Sequence, residues 1–218
     1  MKALVIGATG LVGKELVRQL LADPHFTSIH LFVRRTTGMA HPKLQESIID
    51  FNKPDTWKAL VKGDVLFSAL GTTLKTAGSK EAQYQVDHTY QYAFAKAASE
   101  NGVPVYVLVS AAMAHPASRL FYSRMKGELE RDVKALTFRH IHIFRPGLLA
   151  GDRSEKRIGE RVGYVLLSAL NRIGLARSQR PVHASVLARA MARAAIDESK
   201  ALQTYTLLEV FRRAGEKF

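Results

Sequence analysis

Tyr122 and Lys126, in the segment FYSRMKGELE, are two residues whose types and spacing could perform acid–base chemistry. Side chains four positions apart are neighbours on one face of a helix, so the lysine ammonium can act on the tyrosine phenol. A phenol has an ordinary pKa of about 10, and a nearby positive charge lowers that pKa by favouring the phenolate. The pair is therefore suited to proton donation near neutral pH, provided that the fold places it beside a substrate.

A second pair, Tyr92 and Lys96 in YQYAFAKAAS, has the same spacing inside another helical pattern. Spacing alone does not decide between the two pairs. A tyrosine and a lysine on a solvated helix face are the ordinary alternative for both. The decision depends on where each helix lies relative to the predicted strands.

The order of strands and helices along the chain predicts how these residues are positioned. Amphipathic stretches at residues 11–21, 80–100 and 119–136 separate several short apolar runs. This alternation predicts an α/β fold, a doubly wound parallel sheet with helices on both faces. The runs that predict strands are ALVIG from Ala3, IHLFVRR from Ile29, SIID from Ser47, DVLFSALG from Asp64, VPVYVLVS from Val103 and IHIFRPG from Ile141.

A glycine-rich turn, VIGATGLVGKELV, follows the first predicted strand and opens the first helix, which is the context of a dinucleotide fingerprint. Gly7 permits the tight turn, Gly10 lets the backbone approach a pyrophosphate, and Gly13 allows close helix packing. The helix start adds free N–H donors and positive partial charge. The spacing is G-x-x-G-x-x-G, and a tight turn without a cofactor is the alternative. The other residues predicted to line this turn are Thr9, Leu11 and Val12.

The end of the second strand indicates which dinucleotide is preferred. An acidic residue would bind the ribose 2′-hydroxyl of NAD about twenty residues after the turn, but Arg34 and Arg35 occupy that place. Guanidinium groups bind a 2′-phosphate through charge-assisted hydrogen bonds and can stack on adenine. The sequence therefore predicts NADP(H) as cofactor, with two exposed surface arginines as the alternative.

The ends of the next two strands are predicted to complete the cofactor site, because ligands lie beyond the carboxyl ends of parallel strands. After the third strand, Asp50 could bond the adenine amino group, with Phe51 beside the ring. After the fourth strand, SALGTT would pass close to the cofactor ribose. The residues predicted there are Leu70, Gly71 and Thr72.

The fifth strand ends at Ser110, twelve residues before Tyr122, whereas Tyr92 and Lys96 precede that strand. A Ser, Tyr and Lys in this order, together with GATGLVG and FRPG, resemble the short-chain dehydrogenase/reductase superfamily. The elements LGTT, YSRMKGELE and FRPG followed by DR look like its atypical group around Tat-interacting protein. This resemblance implies a Rossmann-like domain that binds NADP(H), a Ser/Tyr/Lys constellation and an unidentified substrate.

The chemistry expected of this constellation is carbonyl reduction, which needs a hydride from the nicotinamide and a proton for the developing alkoxide. Tyr122 is the predicted proton donor, and Lys126 would tune it and hold the ribose hydroxyls. Ser110 would donate a hydrogen bond to the substrate oxygen. Many superfamily members carry an asparagine on the fourth helix that completes a proton relay, whereas this chain offers Asp87. This departure leaves slow catalysis open.

The segment FRPG follows the sixth strand, where the loop of the family closes over the nicotinamide. Pro146 is accordingly predicted to be near the cofactor. Arg145 could contact the cofactor and substrate or pair with an acidic residue. His140 and His142 alternate on the strand before it, but no nearby carboxylate or thiolate completes a ligand set, so no metal site is predicted.

The alternation of strands and helices weakens after about Gly147. We predict one Rossmann-like domain over residues 1–218, in which residues 148–218 form a small substrate-side region and a helical C-terminal extension. Within it, PVHASVLARAMARAA predicts a turn and an amphipathic helix with Arg189 and Arg193 outward. The segment RVGYVLLSALNRIGLAR predicts a lid or packing helix, with an oligomer contact or an interfacial membrane helix as alternatives.

Composition restricts the partners and the compartment. The chain has no cysteine, which excludes a disulfide scaffold and thiolate metal sites and fits a reducing compartment, so we expect a cytoplasmic protein. The start, MKALVIGATG, has an apolar run too short for a signal-peptide core, and no segment approaches about 18 uninterrupted apolar residues, so we expect a soluble protein. The net charge of +13 attracts polyanions. No aromatic-interleaved motif accompanies this charge, so we expect no specific nucleic-acid partner. A small-molecule substrate is the favoured partner, and contact with a membrane surface ranks below it. Monomer and homodimer both stay open.

The leading prediction is an NADPH-dependent reductase of a small carbonyl or quinone-like compound. The alternative is a cofactor-binding regulatory protein, in which NADP(H) orders loops that bind a macromolecular partner and the Ser/Tyr/Lys constellation is nearly idle. Turnover across a panel of aldehydes, ketones and quinones separates the two.

Overall fold

A computed structural model describes residues 1–150 and 181–216 of the chain. Its main sheet has seven parallel strands in the order β3-β2-β1-β4-β5-β6-β9, and β7 pairs with β8 in a small second sheet. The strands are β1 (Lys2–Ile6), β2 (Ser28–Val33), β3 (Leu44–Ile48), β4 (Val65–Ser68), β5 (Val105–Val109), β6 (His140–Arg145), β7 (Leu149–Ala150), β8 (Val182–His183) and β9 (Leu202–Thr206).

The helices connect these strands and cover both faces of the sheet. A π-turn at Gln85–Thr89 joins α3 to α4, and two short 3₁₀ turns at Pro54–Thr56 and Lys58–Leu60 precede β4. The helices are α1 (Leu11–Ala22), α2 (Leu74–Ala77), α3 (Lys80–Tyr84), α4 (Tyr90–Glu100), α5 (Phe121–Lys134), α6 (Ala184–Ala195) and α7 (Leu207–Ala214).

Successive side chains of the central strands enter two separate hydrophobic cores, because side chains alternate between the faces of a strand. In β1, Ala3 and Val5 face one core, while Leu4 and Ile6 face the other. The first core packs α1, α6 and α7 against the sheet, and the second packs α4 and α5. This double coverage explains why the central strands are apolar at nearly every position.

The predicted fold class, a doubly wound parallel sheet of Rossmann-like type, is confirmed. All six predicted strands and the first predicted helix are present, and PVHASVLARAMARAA contains α6, with Arg189 and Arg193 exposed. The predicted helix at residues 80–100 is instead α3, the π-turn and α4. The wide turn was not predicted because amphipathic spacing does not distinguish an i→i+5 bond from an i→i+4 bond.

β9 and α7 were not predicted from the sequence; β9 adds a seventh strand to the sheet, and α7 follows it. β9 pairs in parallel with β6, from Ile141 beside Leu202 to Arg145 beside Thr206. The predicted helix at residues 161–177 lies outside the described residues. Among those that are described, no helix is both long and apolar enough to cross a membrane.

Candidate active site

A cleft of about 1310 Å³ opens at the carboxyl ends of the central strands. Its lining comes from the start of α1, the loop after β4, the ends of β5 and β7, and the first turns of α5 and α6. Parallel α/β sheets bind ligands at this edge, where the strand order reverses. The cleft brings together many of the predicted site residues, namely Thr9, Gly10, Leu11, Val12, Leu70, Gly71, Thr72, Ser110, Tyr122 and Lys126.

The glycine turn has the backbone geometry expected of a dinucleotide cradle. Gly7 has a φ of +82°, a conformation that residues with a Cβ rarely adopt. A Cβ on Gly13 would overlap the carbonyl oxygen of Gly7, so only glycine lets α1 begin this close to the turn. The first N–H groups of α1 point out of its N-terminus without intrahelical partners. The turn and the helix start could therefore hold a pyrophosphate.

Lys126 is 97% buried, and its Nζ lies 2.9 Å from Oδ1 of Asp87. Burial opposes a charge on this ammonium, but the charges of Asp87, Tyr122 and Glu130 and the hydrogen bond to Asp87 outweigh burial and raise the pKa of Lys126. The other carboxylate oxygen of Asp87 accepts a hydrogen bond of 2.7 Å from the backbone N–H of Thr72. A single buried carboxylate therefore links the lysine to the loop after β4.

Tyr122 lies one turn before Lys126 on α5, with 45% of its surface exposed at the cleft. The Nζ of Lys126 is 6.0 Å from the centroid of the Tyr122 ring. The pair is therefore together in the cleft, with the phenol towards solvent and the ammonium in the protein. The other pair is elsewhere: Lys96 faces solvent 3.9 Å from Glu100, and Tyr92 packs against the second core.

Ser110 follows β5, and its hydroxyl donates to Oε1 of Glu130 at 2.5 Å. The same carboxylate receives two hydrogen bonds from Arg145, from Nε at 2.8 Å and from Nη2 at 2.5 Å. The hydrogen bonds that Arg145 donates to Glu130 raise the pKa of its guanidinium, which burial alone would lower. Of the two roles considered for Arg145, pairing with an acidic residue is the one that the contacts support. Neither Arg145 nor Pro146 is among the residues that line the cleft.

Glu130 is the residue of this site that the sequence analysis missed. It is 98% buried, on the third turn of α5, and joins side chains from β5 and β6. The sequence carried a signal for it, because Tyr122, Lys126 and Glu130 are spaced four residues apart on one helix face. A carboxylate on the helix face that packs against the sheet is buried, and a buried carboxylate requires a cationic or hydrogen-bonding partner.

The residues predicted to bind the adenosine half lie outside the cleft lining. Arg34 and Arg35 follow β2, are exposed, and form no ion pair with any residue in ranges 1–150 and 181–216. The carboxylate of Asp50 accepts hydrogen bonds from Asn52, from its backbone N–H at 3.0 Å and its side chain at 3.2 Å. The ring of Phe51 packs in the second core against Tyr90.

The histidines of β6 have protein partners. His140 Nδ1 is 3.0 Å from the carbonyl oxygen of Lys200, and His142 Nδ1 is 3.2 Å from the hydroxyl of Tyr205. Within the described part of the chain, no three His, Cys, Asp or Glu side chains are grouped so that they could hold a metal ion.

Comparison with known proteins identifies one matching family model, described as NAD(P)H-binding, over residues 7–161. Protein FMP52, mitochondrial, of Saccharomyces cerevisiae is 39% identical over 184 residues, which cover 83% of this chain and 79% of that protein. The predicted binding of a nicotinamide dinucleotide is thereby confirmed at the level of NAD(P)H.

Two solved structures share the fold. WbmH of Bordetella bronchiseptica, in complex with NAD⁺, has a TM-score of 0.71 and 17% identity, covering 94% of this chain and 74% of its own. The human epimerase family protein SDR39U1, solved with NADPH, has a TM-score of 0.65 and 17% identity, with the same coverage of 94% and 74%. At this identity the likeness concerns the fold alone.

The comparisons also correct the expected compartment. Several relatives with about 40% identity are named as mitochondrial proteins. The prediction of a cytoplasmic protein, which depended on the absence of cysteine and of an apparent leader, is therefore wrong. Neither feature separates cytosol from a mitochondrial location, because residues that target a protein need no cysteine and no long apolar run.

Proposed function

Because this chain belongs to the NAD(P)H-binding family, we propose that it is an NADPH-dependent oxidoreductase of the atypical short-chain dehydrogenase type. Its substrate would be a small carbonyl or quinone-like compound. The observation that carries the proposal is the position of Tyr122 and Lys126 in the same cleft as the glycine turn. The motifs shared with the group around Tat-interacting protein support the same assignment.

In this mechanism the bound cofactor supplies a hydride from its nicotinamide. The start of α1 would hold the pyrophosphate, and Lys126 would hold the ribose hydroxyls. Tyr122 then donates its proton to the oxygen of the substrate as negative charge develops there, and the adjacent ammonium stabilises the phenolate that is left. Ser110 lines the same cleft, and its hydroxyl would have to turn away from Glu130 to donate a hydrogen bond to that oxygen.

We predict that Tyr122→Phe lowers kcat/KM for quinone reduction by about 10²- to 10⁴-fold, the usual contribution of general acid catalysis. The dissociation constant for NADPH should stay unchanged, because the phenylalanine keeps the ring that packs at the cleft. The measurement is NADPH oxidation with 9,10-phenanthrenequinone and a panel of aldehydes and ketones. Tyr92→Phe is the matched control and should keep full activity. Equal activity of Tyr122→Phe and wild type would remove the phenol from the mechanism.

NADPH is the preferred cofactor in this proposal because Arg34 and Arg35 are exposed at the end of β2 without an acidic partner in the described ranges. We predict that the double variant Arg34→Ser, Arg35→Ser binds NADPH at least about tenfold more weakly, because hydrogen bonds to a charged phosphate contribute about 1.5–3 kcal/mol. NADH affinity should change little. Fluorescence titration measures both constants, with Arg139→Ser, an exposed arginine before β6, as control. A parallel loss for NADH would contradict 2′-phosphate recognition.

A second function, cofactor-dependent regulation without appreciable turnover, is favoured by one observation. The hydroxyl of Ser110 and the ammonium of Lys126 already have carboxylate partners, at 2.5 and 2.9 Å. Polar groups that are satisfied within the protein have less to offer a transition state. Tight NADPH binding combined with no oxidation across the whole panel would support this function over the reductase.

A further inference from the structure

Asp87 lies in the π-turn between α3 and α4, where the backbone N–H of Tyr90 bonds to the carbonyl oxygen of Gln85. The wide turn directs Asp87 inward, and only 1% of its surface is exposed. Its own carbonyl oxygen accepts a hydrogen bond of 2.7 Å from Gln91, which is also buried. The backbone at Asp87 is therefore fixed by hydrogen bonds, and π-turns of this kind are frequent at functional sites.

The two oxygens of Asp87 serve two elements on either side of the cleft. One is 2.9 Å from the ammonium of Lys126 on α5, and the other accepts from the N–H of Thr72 in the loop after β4. Among the described residues, the charged or titratable groups that face Lys126 are Asp87 from the π-turn and Tyr122 and Glu130 from α5. Of these carboxylates, Glu130 is engaged by Arg145 and Ser110.

We propose that Asp87 is a positioning residue that keeps the buried Lys126 charged and fixes it to the loop at Thr72, so that cofactor affinity depends on this ion pair. A buried ammonium without a carboxylate partner releases its proton readily. A neutral lysine would lose much of its hydrogen-bonding strength towards the ribose hydroxyls. The inference rests on the cofactor-binding part of the proposed function and does not require catalysis.

The test compares NADPH dissociation constants of the full-length wild type, Asp87→Asn and the double variant Asp87→Asn, Lys126→Met by fluorescence titration from pH 7 to 9.5. Each constant is divided by the wild-type value at the same pH, which removes the titration of the cofactor itself. We expect Asp87→Asn to bind at least about tenfold more weakly than wild type at pH 9.5. Its affinity should there approach that of the double variant, because its lysine is then neutral.

Asp132→Asn is the matched control. Asp132 is also a carboxylate on α5, but its partners are His88 at 2.9 Å and Arg131 at 2.8 Å, outside the residues that line the cleft. The NADPH affinity of Asp132→Asn should equal that of wild type at every pH. Asp87→Glu, which keeps the charge, should recover affinity that Asp87→Asn loses. Wild-type affinity of Asp87→Asn throughout the range would overturn the proposal.

A second measurement covers the case in which Asp87→Asn does not fold or wild type binds no NADPH. Lys126→Met leaves the buried carboxylate of Asp87 without a cation, and that carboxylate can take up a proton at low pH. We expect the deficit in melting temperature of Lys126→Met relative to wild type to be smaller at pH 5 than at pH 8. A deficit that does not change with pH would mean that the two side chains are not coupled. Absence of NADPH binding to wild type would instead defeat the proposed function.

Discussion

Two carboxylates under the cleft, Asp87 and Glu130, determine what the other side chains of the site can do. Each is almost completely buried and has a cationic partner, Lys126 for the first and Arg145 for the second. A buried charge that loses its partner is strongly destabilising, so each pair behaves as one unit. The hydroxyl proton of Ser110 points to Glu130, which leaves the oxygen lone pairs of the serine for the cleft.

We predict that Glu130→Gln lowers the free energy of unfolding by about 2 kcal/mol, because hydrogen bonds to a charged group contribute about 1.5–3 kcal/mol and Arg145 would lose its counter-charge. Urea denaturation followed by circular dichroism measures the loss. Glu128→Gln on the same helix is the control: it is 3.9 Å from Arg124 in a more exposed pair, which should contribute at most about 1 kcal/mol. Equal losses of unfolding free energy in both variants would show that the buried contacts of Glu130 contribute no more to stability than a surface ion pair.

The identities of Ser110, Tyr122 and Lys126 could be predicted because their order relative to the fifth strand is visible in the sequence. The partners of these residues could not. Glu130 meets Ser110 from β5 and Arg145 from β6, and only the register of two neighbouring strands brings those ends to one helix face. Linear spacing carries no information about such a three-element contact.

At the scale of elements, predictability followed burial. The central strands are apolar at nearly every position and were found, with boundaries within two or three residues. β9 is an edge strand, LQTYT, in which Tyr205 alone is buried, so its sequence lacks an apolar run. α7 did carry a readable start, since Thr206 and Glu209 form a capping box in TYTLLEV. The π-turn has no comparable sequence marker.

At the scale of the whole molecule, stability should depend on two buried histidines. Burial and the positive charge of Arg213 lower the pKa of His142 to about 4, although Asp197 partly opposes them, and burial and Lys2 lower the pKa of His30 to about 4. An unfolded histidine binds a proton near pH 6.5, so the unfolded state takes up more protons between pH 6.5 and 4. Stability present above pH 6.5 is therefore lost as pH falls through this window.

We predict that His142→Phe reduces the fall in melting temperature between pH 6.5 and 4.5, because it removes one of the two histidines whose pKa is lowered to about 4. His30 should maintain part of the dependence. Differential scanning calorimetry at several pH values measures the slope. His41→Gln, at an exposed position, should retain the wild-type slope. An unchanged slope in His142→Phe would mean that this ring is not protonated on unfolding in the window.

The two cores support different parts of the cleft. α1, which would carry the pyrophosphate, is anchored in the core on one face of the sheet, whereas α4 and α5, which flank the Asp87–Lys126 pair, are anchored in the core on the other. Buried substitutions in the first core can change the affinity for the dinucleotide without moving the proton donor. Those in the second core can shift Lys126, which affects both the proton donor and the contact with the ribose. Substitutions far from the cleft can therefore alter it by two separate routes, one through each face of the sheet.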